Sequence, residues 1–211
     1  MKTHPLFICL LLCVLFSYAQ IDTTGRPGFR LVGKSVPQFT ANTIDGNYLD
    51  SAYFKNKITV IVFMSPGCTP CKYQLPKLNQ WTKTFSKDTF QILLVFDGDE
   101  ATTRDFRSAQ SKHFGKMKKK FGLDSLAFDC IAECTAPDRR LIASACMVLA
   151  GKFMVNAWPS TFFVSKDGIV RNYESGYVVG NTHGMDLYFD ELLRLTVMKE
   201  KFVYRGQVFK Q

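Results

Sequence analysis

Thr59-Val60-Ile61-Val62-Phe63-Met64 is followed, after three residues, by Cys68-Thr69-Pro70-Cys71, and this stretch decides how the rest of the chain is read. The first six residues form a continuous run rich in β-branched side chains, the pattern of a strand buried on both faces of a parallel sheet. Beyond the cysteines, Leu75, Leu78, Trp81 and Phe85 recur at spacings of three and four, which predicts a helix over Thr69 to Phe85, kinked at Pro76. Phe90 to Phe96 (FQILLVF) repeats the buried-strand pattern, and strand, helix, strand makes a parallel crossover with helices expected on both faces of the sheet. The cysteine pair therefore sits where a strand gives way to a helix. There the unpaired N–H groups and partial positive charge of the helix start stabilise a thiolate at Cys68. Cys71, one turn on, is in reach to attack a mixed disulfide at Cys68 and release the product.

Working outward, Asp45-Gly46 between Gln38 to Thr43 and Asn47 to Leu49 predicts a hairpin ahead of the crossover. Gln20 to Phe29 is polar and carries Gly25, Pro27 and Gly28, as a linker would, so folding is expected from about Arg30. Before it, Lys2, the unbroken apolar run Leu6 to Phe16 and then Ser17-Tyr18-Ala19-Gln20 predict a signal peptide over residues 1–19, cut after Ala19. Eleven residues at a rise of about 1.5 Å cover roughly half of a bilayer core, too little for a lasting anchor. Neither Cys9 nor Cys13 follows a small residue, as a lipoprotein cleavage site requires. On the other side, Thr102 to Phe121 reads as one basic helix. Thr161 to Ser165 and Ile169 to Tyr173 form a second hairpin around Lys166-Asp167-Gly168. A last helix, Gly184 to Lys199, is expected to bury Met185, Tyr188, Leu192 and Leu195, and residues 201–211 are left as a tail.

The 211 residues are 46% hydrophobic, 21% charged and 14% aromatic, enough for one α/β domain over 30–200 and unlike a disordered, collagen-like or repeat chain. The formal charge of +9 favours acidic surfaces without indicating a nucleic acid. Seven basic residues lie between Arg104 and Lys120 (Arg104, Arg107, Lys112, Lys116, Lys118, Lys119, Lys120) against Asp105 alone. They form a solvated helix face or a contact for an acidic partner or an anionic membrane surface. Phe106, Phe114 and Phe121 fall at helical spacing, as core residues rather than as base-stacking platforms. His113 and His183 have no ligand pattern around them. If the signal is removed, Cys68, Cys71, Cys130, Cys134 and Cys146 remain in a compartment where disulfides form. Cys130, Cys134 and Cys146 admit three readings: a structural bridge from Cys146 to Cys130 or Cys134, inert buried thiols, or a relay passing electrons to Cys68. The oxidising compartment favours the bridge.

From Gly33 to Ser165 the chain resembles the TlpA-like branch of the thioredoxin superfamily, exported thiol-disulfide oxidoreductases that also serve cytochrome c maturation. The resemblance rests on Gly33-Lys34-Ser35-Val36-Pro37-Gln38-Phe39, the Asp45-Gly46 turn and the CxxC pair with Lys72-Tyr73-Gln74-Leu75-Pro76. Above all it rests on Trp158-Pro159-Ser160-Thr161-Phe162-Phe163-Val164. It implies a central mixed sheet flanked by helices, with an N-terminal hairpin extension and an insertion before the strand that follows Pro159. It also implies a cis Pro159 facing the cysteines, with the backbone at Trp158 and Pro159 pairing with the substrate. The function to expect is an exported, periplasmic, monomeric oxidoreductase without cofactor or metal. Cys68 would be the nucleophile and Cys71 the resolving thiol, tuned by Thr69, Pro70 and Gln74, acting on protein disulfides with a thiol electron donor.

Three departures stand out. The aromatic positions before the first cysteine hold Gly67 and Met64; the usual glutamate three residues after the second cysteine is Gln74, which does not titrate; and the buried acid of cytoplasmic thioredoxins is Val62. Two rivals fit less well. A thiol peroxidase would want threonine and proline where Ser65 and Ile61 stand. A copper chaperone would want a His or Met cluster around the pair, and only Met64 is close.

Overall fold

A computed structural model of the chain describes residues 25–108, 110–112, 114–123, 126, 128–134 and 146–204, with side chains as far as residue 198. The expected signal peptide, the cut after Ala19, and His113 lie outside the described residues.

Strands β1 (Thr40–Asn42) and β2 (Tyr48–Asp50) make the small N-terminal hairpin, with Gly46 at φ 87° in the turn and the Thr43 hydroxyl accepting from the Asp45 and Asn47 N–H groups. Then come β3 (Ile58–Met64), α1 (Thr69–Thr84), β4 (Phe90–Phe96), α2 (Glu100–Arg107), α3 (Gly115–Phe121) and β5 (Asp129–Ala132). The chain continues with α4 (Val148–Lys152), β6 (Ser160–Val164), β7 (Val170–Ser175) and α5 (Thr182–Tyr204). The main sheet has the order β5-β4-β3-β6-β7; β3 is parallel to β4 and β4 to β5, while β6 is antiparallel to both β3 and β7. α1 runs through Pro76 without interruption.

All of β3 is buried, and its residues alternate between two cores. Val60, Val62 and Met64 pack with Leu75, Leu78 and Trp81 of α1 and with Phe189, Leu192 and Leu193 of α5. Ile61 and Phe63 pack with Phe54, Leu149, Phe153 and Phe162. Each such side chain contributes about 1.5–3 kcal/mol relative to exposure. The second face departs from the expected helical cover: apart from the short α4, it is closed by the hairpin and by 3-10 turns at Pro27–Leu31 and Ser51–Phe54. Packed structure starts at Pro27, ahead of Arg30, because Gly28 lies so close to the Tyr173 ring that an added Cβ would meet it at 2.7 Å.

Three sequence expectations are corrected. The basic segment is two helices: Ser108 turns extended and ends α2, and the Ser111 hydroxyl accepts from the Phe114 N–H ahead of α3. The buried stripe of α5 is Phe189, Leu192, Leu193 and Thr196, set by Phe189 stacking on Trp81, while Tyr188 turns outward to hydrogen-bond Glu174. Phe85 caps the end of α1 and is 39% exposed, its ring set against Phe90.

A single carboxylate joins α1 to α5. Asp190 accepts from Lys77 Nζ at 2.7 Å and from Trp81 Nε1 at 2.8 Å, and Lys77 is buried. Asp190→Ala strands both donors and is expected to cost about 2–3 kcal/mol, read as a lower urea midpoint at unchanged slope.

Candidate functional site

β3 delivers the chain to the carboxyl edge of the sheet, and Ser65-Pro66-Gly67 turns it so that the Cys68 N–H reaches the Ser65 carbonyl at 3.1 Å. Cys68 is the N-cap of α1: its sulfur accepts the Cys71 N–H at 3.1 Å, and Pro70 occupies the first turn, where its missing N–H leaves no bond unmade. Cys68 and Cys71 are joined in a disulfide with a Cα–Cα distance of 5.3 Å. The two sulfurs are not equivalent. Cys68 is half-buried beside exposed Thr69, whereas Cys71 is 2% exposed within the α1-side core. An incoming group therefore reaches Cys68 first, and the N–H aimed at its sulfur favours the thiolate once the pair is reduced.

Antiparallel pairing sets Ser160 opposite Phe63, so Pro159 enters β6 at the edge from which β3 leaves for the cysteines. The Trp158–Pro159 bond is cis. Pro159 is buried and its carbonyl accepts the Gly176 N–H at 2.7 Å, while half-buried Trp158 packs against both cores. No hydrogen bond engages the Trp158 backbone among the described residues.

Gln74, one turn beyond Cys71, is fully buried rather than turned to solvent. Its Nε2 donates to the Thr161 hydroxyl at 2.9 Å across to β6, and its Oε1 is buried without a partner among the described residues. Val62, where cytoplasmic thioredoxins carry an acid, is fully buried in the same core.

Cys134 and Cys146 form a second disulfide, and Cys130 on β5 is a free thiol whose pKa burial pushes up to about 12. Two buried carboxyls beside this bridge escaped the sequence reading. Asp97, directly after β4, has Oδ1 3.9 Å from the Cys134 sulfur, and Glu133 accepts the Ala150 N–H at 2.6 Å at the start of α4. Their only sequence signal is position: each follows a buried strand at the edge that also carries Cys68. Burial, opposed by the α4 N–H groups, pushes the Glu133 pKa up from 4.5 to about 7. The folded state thus keeps this proton where the unfolded chain releases it, so the stability Glu133 supplies is complete below about pH 4.5 and lost as pH rises through about 7. Between pH 5 and 8 the loss should be about 2–3 kcal/mol in urea titrations of the wild type, and Glu133→Gln should flatten it.

Residues 32–173, which hold both disulfides and Pro159, match the AhpC/TSA family model. The chain belongs to that family. No curated protein sequence matches it. Among solved structures, this AhpC/TSA-family chain is similar to one from Bacteroides thetaiotaomicron assigned provisionally as a protein disulfide isomerase. The two are 13% identical, over 77% of this chain and 90% of that one, with a TM-score of 0.51. It is also similar to the thioredoxin domain of a thiol-disulfide oxidoreductase from Bacteroides vulgatus (17% identity, 82% of this chain, 97% of that one, TM-score 0.49). A third is dsbF of M. tuberculosis, solved in mixed oxidised and reduced forms (20% identity, 76% and 94%, TM-score 0.49). The fold is thioredoxin-like, a central mixed five-strand sheet flanked by helices and preceded by the N-terminal hairpin. The oxidised CxxC pair at the helix start gives this AhpC/TSA-family chain the means for dithiol–disulfide exchange. Among the described residues, no three His, Cys, Asp or Glu side chains gather as metal ligands would.

Proposed function

We propose that the protein is an exported reductase of protein disulfides, working in the periplasm as a monomer after cleavage behind Ala19. The observation that carries the reading is the asymmetry of the pair: an accessible Cys68 capping α1 and a shielded Cys71 whose N–H points at the Cys68 sulfur. The reduced protein attacks through the Cys68 thiolate, forming a mixed disulfide and releasing one substrate thiolate. Cys71, deprotonated, then attacks the Cys68 sulfur, which releases the second substrate thiolate and closes the Cys68–Cys71 bond. The substrate gains two electrons and the protein loses two; a thiol donor returns them by the reverse exchange. The unengaged Trp158 backbone supports pairing of an extended substrate segment beside Pro159. Thr69, Pro70 and Gln74 tune the couple, Pro70 by leaving the first turn one N–H fewer to offer a thiolate.

Export rests on the Leu6 to Phe16 run and the small residues before Gln20, and a role in cytochrome c maturation on the TlpA-like resemblance. The Cys134–Cys146 bridge, closing a sequence separation of 12, is read as structural and worth about 3 kcal/mol. The test is turnover of insulin with a recycling dithiol, run beside hydrogen peroxide. Insulin reduction without peroxide consumption is the expected result. Peroxide consumption with insulin untouched would move the protein to the thiol peroxidases.

A further inference from the structure

The basic segment resolves into residues with different fates. Arg104 pairs with Glu100 and the Ile44 carbonyl, Arg107 pairs with Asp45, and Lys118 turns inward to the Ser108 carbonyl. What remains exposed on α3 is Lys116, Lys119 and Lys120, three and four residues apart and so on one face. Among the described residues no carboxylate pairs with them. This face leans on the cysteine helix: Phe121 meets the Tyr73 ring edge-on at 4.9 Å, and Lys120 Nζ lies 3.0 Å from the Tyr73 hydroxyl. Tyr73 is two residues past Cys71, and half-buried Lys72 lies between them.

We propose that Lys72, Lys116, Lys119 and Lys120 form a docking rim for an acidic stretch of polypeptide flanking the disulfide presented to Cys68. The inference rests on the exchange function proposed above and names its substrate class. Joined to the cysteine helix through Tyr73, such a basic rim both steers an acidic partner electrostatically and holds it in register. A lipid surface fits less well. An interfacial helix needs an exposed apolar face, and the apolar residues of α3, Met117 and Phe121, pack on the core instead.

The test uses two disulfide-linked peptides of one sequence, flanked by Asp/Glu or by Lys, with rates normalised to that on the neutral bis(2-hydroxyethyl) disulfide. The wild type should favour the acidic peptide by about tenfold or more at low ionic strength, with the preference largely lost in high salt. Lys116→Glu combined with Lys119→Glu should abolish or invert the preference. Equal rates on the two peptides, or a preference untouched by the double variant, would overturn the proposal. So would binding to phosphatidylglycerol vesicles, lost in the double variant, with no discrimination between peptides. A wild type active on the neutral disulfide yet indifferent to flanking charge would leave the exchange function standing. A wild type inert on all three would overturn that function and this inference with it.

Discussion

Cys68→Ser should abolish disulfide reduction, lowering turnover by several orders of magnitude, whereas Cys71→Ser should still attack and then stall as a mixed disulfide. The difference follows from exposure and from one hydrogen bond. Cys68 is the accessible sulfur at the N-cap of α1, and the Cys71 N–H at 3.1 Å stabilises the charge it carries as a thiolate. Serine in its place retains the cap but has no nucleophile of comparable strength near neutral pH. Cys71, 2% exposed, meets an intermolecular disulfide poorly but is ideally placed for the intramolecular step. Without it, the only exit from the mixed disulfide is an external thiol. Intact-mass measurement after incubation with a peptide disulfide checks both variants: a peptide adduct should persist on Cys71→Ser and be missing from Cys68→Ser. The reverse pattern would exchange the two roles.

Gln74→Glu should carry the largest pH-dependent effect. The side chain is fully buried one turn past Cys71, and among the described residues Thr161 is its one partner and Oε1 is unmatched. A glutamate there would keep its proton well above the usual carboxylate range, because burial penalises the anion and Thr161 supplies at most one hydrogen bond. Raised above its unfolded value, that pKa makes the variant nearly as stable as wild type in acid and progressively less stable as pH rises through it. The cost near neutral pH is expected to be about 3 kcal/mol, read from urea midpoints at pH 4.5 and 8. The same carboxyl would be able to take the proton from Cys71 as it becomes a nucleophile, so exchange should quicken near neutrality and gain a new titration. An unchanged pH–rate profile would remove residue 74 from proton transfer.

Short-range signals carried most of the fold. The runs Thr59 to Met64 and Phe90 to Phe96, the Asp45-Gly46 turn and the hairpin at Lys166-Asp167-Gly168 declare themselves through period and turn chemistry. The cysteines and Trp158-Pro159 are legible because few residue types can do what they do. What escaped was set by tertiary contacts. Periodicity does not show that Ser108 and Ser111 divide the basic segment, since an inward Lys118 and a hydroxyl bonded to Phe114 decide it. Nor does it show that Phe189 rather than Tyr188 faces Trp81, a choice made by the Glu174 hydroxyl bond and the ring stack. Asp97 and Glu133 read as ordinary polar residues after strands until the sheet order places them together beside Cys134.

The most direct measurement is an equilibrium titration of the intact protein across dithiothreitol redox buffers, with acid quenching, alkylation and mass spectrometry of each cysteine. Cys68 and Cys71 should lose and gain their labels together, as one two-electron couple changing tenfold over about 30 mV. Labels that change independently, or a pair that stays wholly oxidised or wholly reduced across every buffer that turns over a peptide disulfide, would contradict their assignment as the exchange centre.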